Sequence, residues 1–423
     1  MTVRPGRPAS VAAARPADRG TTAKEKISFS FLLMLVWIWF EYGRPAHPLN
    51  IPLMISAILL ATWLLKQDKR WSRQSSLLMA FLVVMAVGLP LAPNTFSAFW
   101  AFYSMATILV CVCLPMPSLI TSVRLVRLWI YTFVAVAVYV GTWAIFHGGY
   151  GPSGAAGGQD ENYVAAMMGM AVSFAYFSIF AAKTRLRKIV LGGTVLVFLA
   201  AVAAEQDVSR GGFLGLCAVF LYCLARSPKK WVGLALIALI LVVVPFVGSN
   251  YWDEISSIGK MDQGTADLRL EIWQIGLRMW RANPIFGVGP DNFRWMVGAY
   301  ESTEQHEKFG RDLSGSIIAH SLFVELLAEL GIAGALVLIL LLVRTFKDLQ
   351  QVVRSARPLA SATSGDAFAL RCYADAVTGA LIACLVNGAF LSLLYFSYLW
   401  LFVMLASAIW QLSRARVDGP QAA

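Results

Sequence analysis

The chain has 423 residues, 58% of them hydrophobic and only 14% charged, with a net charge of +11. So small a charged fraction cannot cover the surface of a water-soluble body of this length, and the apolar residues run in long blocks rather than in alternation. The basic excess is scattered along the chain and forms no single face, which sets nucleic-acid binding aside.

Residues 1–26 are rich in Ala, Arg and Pro and read as a disordered tail. The tail has the charge of a signal-peptide n-region. No small-residue cleavage site follows a short apolar run, so the first helix reads as an uncleaved anchor. Twelve apolar blocks follow, near 27–42, 49–65, 75–91, 95–114, 124–146, 162–182, 188–204, 211–225, 231–249, 319–343, 371–390 and 393–412. Each approaches the ~20 residues that cross a hydrocarbon core. Irregular backbone cannot sit unpaired in lipid, so each reads as a helix. The expected fold is therefore all-α and polytopic, with about 12 transmembrane helices and a large helical loop on the outer face between helices 9 and 10.

The connecting segments test this count. Taken alternately from the N-terminus, one side holds 26 of the 35 Lys and Arg; the other holds nine, Arg44, Arg210 and seven in 250–318. Excess Lys and Arg mark the cytoplasmic side, which puts both termini there. The chain divides into a tail (1–26), helices 1–9 (27–249), an outer module (250–318), helices 10–12 (319–412) and a second tail (413–423). Cysteines 111, 113, 217, 223, 372 and 384 all lie in or beside predicted helices. Cys111-Val112-Cys113 has no nearby His or second Cys pair, which argues against structural zinc.

Polar features gather at the outer ends of the helices. The segment Asp160-Glu161-Asn162-Tyr163 precedes helix six, and Ser209-Arg210-Gly211-Gly212 opens helix eight. In the outer module Thr265 reads as an N-cap. Leu268, Ile272, Ile275 and Met279 then share one helical face, beside Trp273 and Trp280, on a helix that lies on the membrane or packs against the bundle. Asn283-Pro284 ends it. A tight turn follows at Phe286-Gly287-Val288-Gly289-Pro290-Asp291-Asn292-Phe293. His320-Ser321 opens helix ten, with Glu325 and Glu329 further along.

Four residue types carry candidate chemistry. Arg210 stands at a helix start followed by two glycines, where an anion can approach the backbone; the plainer reading is an arginine reaching for headgroups. Arg269 offers a planar fork for phosphate oxygens, although Arg278 and Arg281 lie on the same helix. His320 titrates near neutrality and suits a general base; His306 is its competitor, in a charged segment. Asp160-Glu161 and Glu205/Asp207 lack a ligand spacing, so no metal is expected. Gly287-Val288-Gly289 follows no strand, so it is not a dinucleotide loop.

These residues together give the chain a resemblance to the O-antigen ligase and polymerase superfamily, closest to lipopolysaccharide O-antigen ligase. The resemblance rests on Ser209-Arg210-Gly211-Gly212, Arg269 with Trp273, Asn283 to Gly289 with Asn292-Phe293, and His320 running into Glu329-Leu330-Gly331. It implies a bacterial inner-membrane enzyme with no cofactor. Such an enzyme moves a glycan from undecaprenyl pyrophosphate to lipid A–core, at a site facing the periplasm and among membrane lipids. By inverting, metal-independent chemistry, His320 would activate the acceptor hydroxyl while Arg210 and Arg269 hold the pyrophosphate. Asp160, Asn162, Ser321 and Glu325 would support them. Ser321 departs from the family, where Asn commonly follows the His. A polymerase or a protein O-oligosaccharyltransferase would use the same donor. A lipid-linked glycan flippase is the reading of another class, disfavoured by the scarcity of charge inside the helices.

Overall fold

The computed structural model describes residues 27–43, 49–152, 160–204, 210–234, 238, 265–309, 315, 317–355 and 365–417. The two predicted tails, most of the ninth apolar block, and Arg44, Glu205, Asp207 and Ser209 lie outside them, the second tail apart from its first residues.

Every regular element among the described residues is helical. The first nine helices are α1 (Phe29–Ile38), α2 (Ile51–Leu64), α3 (Arg73–Gly88), α4 (Thr95–Ala106), α5 (Met116–Leu119), α6 (Val123–Phe146), α7 (Glu161–Ala181), α8 (Arg185–Ala203) and α9 (Arg210–Arg226). The predicted outer module contributes α10 (Thr265–Ala282), α11 (Phe293–Tyr300) and α12 (Thr303–Phe309). The chain closes with α13 (Leu322–Ser355), α14 (Asp366–Gly388) and α15 (Ser397–Val417). Seven stretches are long and apolar enough to cross a membrane, and three shorter apolar helices accompany them. The expected number of twelve spans is not reached among the described residues.

The sequence starts its helices with short polar side chains. Ser28, Asn50, Ser72, Asn94, Ser122, Asp160 and Thr184 each accept a backbone N–H from the first turn they precede. Two helices then run on in π geometry, α1 through Trp39–Gly43 and α4 through Thr107–Cys113.

The bundle is organised around α7 and α14. α7 is almost wholly surrounded by protein, and α14 lies along it. Small residues permit this approach: Ser173 donates to the Ala376 carbonyl at 2.8 Å, and a Cβ at Gly379 would stand 2.2 Å from the Ser173 hydroxyl. α9 closes on α14 in the same way, because a Cβ at Gly215 would meet the Asn387 amide.

α13 departs from expectation. It is one long helix interrupted at Gly331, whose φ of 59° and ψ of −158° are not helical. The turn after α10 fills the interruption. Ile332 and Ala333 donate to the Pro284 and Ile285 carbonyls at 2.9 and 3.0 Å, instead of to Ala328 and Glu329. The released Ala328 and Glu329 carbonyls accept from Val288 and Gly289 at 2.8 and 3.0 Å. Four backbone groups lose helical partners and all four find loop partners, as low-dielectric surroundings demand. The Asn283–Gly289 stretch is thus a wedge in a broken helix.

Candidate active site

α10 ends at Ala282, as Asn283-Pro284 requires. Its apolar face of Ile272, Ile275 and Met279, with Leu268 at the margin, packs on Val288, Phe293, Val297, Ile317, Ala319 and Ala328. The helix therefore docks on the wedge and on α13. The Trp273 indole donates to the Ala319 carbonyl at 3.1 Å. Arg269 lies four residues before Trp273 and so shares its face. Its charge is felt at the residue after Ala319, which is His320.

His320 does not open α13, contrary to the sequence reading. It stands two residues ahead with φ 47°, a left-handed conformation uncommon outside glycine, while Ser321 begins the helical hydrogen bonding. The Ser321 carbonyl accepts from Glu325 at 2.9 Å and its hydroxyl accepts from Val324 at 3.4 Å. Serine is thus a working cap. The imidazole is half-buried, and among the described residues it has no hydrogen-bond partner. Burial, then the Arg269 charge, push its pKa below the ordinary histidine value, while Asp160 pulls the other way.

Asp160, Arg269 and His320 therefore come together from α7, α10 and the entry to α13. Asp160 also caps α7: its Oδ1 accepts the Asn162 backbone N–H and side-chain amide, each at 2.7 Å. Of Arg210, the backbone is described and begins α9. A Cβ at Gly211 would stand 3.0 Å from that of Phe390, so the start of α9 lies close against that residue. The Phe390 ring lies 6.5 Å from Trp273, which connects the start of α9 to the helix of Arg269. His306 bonds Glu301 at 2.7 Å on an exposed face and takes no part in this grouping.

A cavity of about 320 Å³ lies beside His320, bordered by Ala319, Tyr163, Asp291, Arg294, Glu325 and Tyr395, with Glu329 at its wall. Glu325 is buried, and both it and Asp160 lie within electrostatic reach of Tyr163. Glu329, 2% exposed, serves the wedge: its two oxygens accept the Asp291 and Phe293 N–H groups at 2.8 and 2.9 Å, and Tyr395 donates to it. Asp291, at φ 50°, accepts from Ser97 and Arg294. Asn292 is fully buried and exchanges hydrogen bonds with the backbone of Asn94. Sequence reasoning missed Tyr395, Arg294 and the cavity itself.

A left-handed histidine, an arginine one face away and a carboxylate-lined cavity at one end of a helical bundle suit group transfer to a polar acceptor. Residues 207–339 match the O-antigen ligase family model, a stretch that includes the start of α9, the outer module, the wedge, His320 and the break in α13. This part of the chain matches an O-antigen ligase domain. The match supports ligase- or polymerase-type glycan transfer in general, the family implies lipid-linked glycan substrates, and the apolar helices suggest a membrane protein. No curated protein sequence matches the chain. Asp160, Tyr163 and Tyr395 lie outside the matched stretch and complete the surroundings of the ligase domain from α7 and from the segment before α15.

Proposed function

We propose that the protein is a lipopolysaccharide O-antigen ligase of the bacterial inner membrane, with both termini cytoplasmic and residues 250–318 forming a periplasmic module. It moves a glycan from undecaprenyl pyrophosphate to a lipid A–core hydroxyl. The observation that carries this reading is the Arg269 charge acting on a half-buried His320 imidazole that has no hydrogen-bond partner among the described residues. Burial and the neighbouring cation both favour the neutral ring, the form a base needs.

In the proposed reaction His320 takes the acceptor hydroxyl proton as the oxygen attacks the anomeric carbon. The carbon–oxygen bond to the pyrophosphate breaks from the opposite face, which inverts the anomeric centre. Undecaprenyl pyrophosphate departs with the bonding electrons, and Arg210 and Arg269 neutralise its growing charge. No metal is needed for any of these steps. The carboxylate-lined cavity would accept hydroxyls of the sugar that carries the nucleophile, with Glu325 the nearest buried acceptor and Asp160, Asn162 and Ser321 holding the surrounding backbone.

The test is a lipopolysaccharide gel of a deletion strain. Ligation predicts loss of every long ladder band, with core intact and lipid-linked polymer accumulating. Core capped by a single repeat would identify a polymerase instead, and an unchanged ladder would remove both readings. Transfer by the purified protein between defined donor and acceptor, undiminished by chelator, would exclude a flippase and support the metal-independent route.

A further inference from the structure

A second cavity lies at the other end of the bundle. Arg226 is the last residue of α9, sixteen after Arg210, and Arg354 is in the last turn of α13. At ~1.5 Å rise per residue, that displacement approaches the ~30 Å thickness of a hydrocarbon core. Between these helices and α14 is a space of about 290 Å³, bordered by Tyr222, Arg226, Gln350, Arg354 and Asp375. That is far more than one water molecule fills and close to the lower end for small-molecule sites.

Its polar groups are unevenly satisfied. The Asp375 side chain is 2% exposed. Three donors converge on its Oδ1: the Tyr222 hydroxyl at 3.2 Å, Arg226 Nε at 3.1 Å and Arg226 Nη2 at 3.0 Å. Oδ2 is buried and, among the described residues, receives nothing. A carboxylate oxygen withdrawn from water in this way wants a donor, preferably a cationic one. Arg354, at the rim, has neither hydrogen bond nor ion pair among the described residues. The cavity therefore has at its inner wall a carboxylate with an unsatisfied oxygen, which a turn of the side chain would offer to an ammonium, and at its rim a guanidinium suited to a phosphate.

We propose that this cavity seats the headgroup of a phosphoethanolamine lipid, with the ammonium on Asp375 Oδ2 and the phosphate on Arg354. The placement fits a bilayer lipid, because Leu221 on α9 and Val343 on α13, each more than one helical turn before the arginine of its helix, are exposed and offer apolar surface for acyl chains. A phosphocholine headgroup has no N–H to give Oδ2. A phosphoglycerol headgroup has no cation. A bare phosphate would bring negative charge towards the carboxylate.

Native mass spectrometry of the full chain in detergent tests this, with phosphatidylethanolamine, phosphatidylcholine, phosphatidylglycerol and soluble glycerophosphoethanolamine as probes. Phosphatidylethanolamine should be retained about tenfold over the other two lipids, the value of one charge-assisted hydrogen bond. The soluble headgroup should fail to displace it at equal concentration. Arg354→Ala, which breaks no hydrogen bond or ion pair among the described residues, should lower retention by a similar factor at unchanged thermal stability, and Asp375→Asn should erase the preference for ethanolamine over choline. Equal retention of choline or glycerol lipids, displacement by the soluble headgroup, or full retention by Arg354→Ala would each overturn the proposal.

Discussion

Gly331 and Ile285 meet backbone to backbone: a Cβ on the glycine would stand 2.4 Å from the Ile285 carbonyl oxygen. That contact lets the wedge enter α13, and the φ of 59° at Gly331 is where the helix gives way. Gly331→Ala adds both a clash and a strained backbone, and should cost at least about 2 kcal/mol. It should lower the apparent melting temperature in detergent and free the wedge for protease cleavage. Gly192→Ala is the control, since nothing lies within 4 Å of its Cβ position inside α8. It should be neutral or stabilising by up to about 1 kcal/mol.

Glu329 offers a second measure of the wedge. Both its oxygens are engaged by backbone N–H groups, so Glu329→Gln must turn an amide N–H towards a donor. The expected loss is about 2–3 kcal/mol. Tyr395→Phe removes one donor to the same carboxylate and should cost about 1 kcal/mol. Because the two side chains share Oε2, the double variant should lose less than the sum. Strict additivity in thermal unfolding would show that they act separately.

The fold was legible because its signal is local. Apolar blocks and N-capping residues announce most helices, and the face of Leu268, Ile272, Ile275 and Met279 announced an amphipathic helix while leaving open whether it met the membrane or the bundle. The meeting of Arg269 with His320 was legible only as two residue types suited to one reaction. What brings them together, the Trp273 bond to the Ala319 carbonyl, spans 46 residues and leaves no periodic trace. The break at Gly331 was hidden for a related reason: apolar residues continue beyond it, so hydropathy reads one uninterrupted span. The cavity was hidden because Tyr163, Arg294 and Tyr395 arrive from three distant segments, and no spacing in the sequence links them.

Ser321 tests whether the departure from Asn matters. Its hydroxyl caps α13 through the Val324 N–H. Ser321→Ala should cost about 1 kcal/mol, whereas Ser321→Asn, an equally good cap, should keep wild-type stability and transfer. A thermal shift that leaves alanine indistinguishable from serine would rule out the capping role.

The pH dependence of transfer probes His320 most directly. A base works in its neutral form, so the rate holds at neutral pH and falls as acid protonates the ring. Burial and Arg269 depress the folded-state pKa, which places that fall below the ordinary histidine value. For the same reason, any stability contributed by the neutral ring is present above that value and is lost as pH drops. Arg269→Gln removes a cation and should move the acid limb of kcat towards higher pH, even where donor affinity also suffers. Asp160→Asn removes the opposing carboxylate and should move the limb the other way. His320→Ala should leave a flat profile with transfer reduced roughly 10²–10⁴-fold while donor binding persists. A merely structural contact between Arg269 and His320 would change rates in both variants but not displace their limbs in opposite directions, so that opposition identifies His320 as the titrating group.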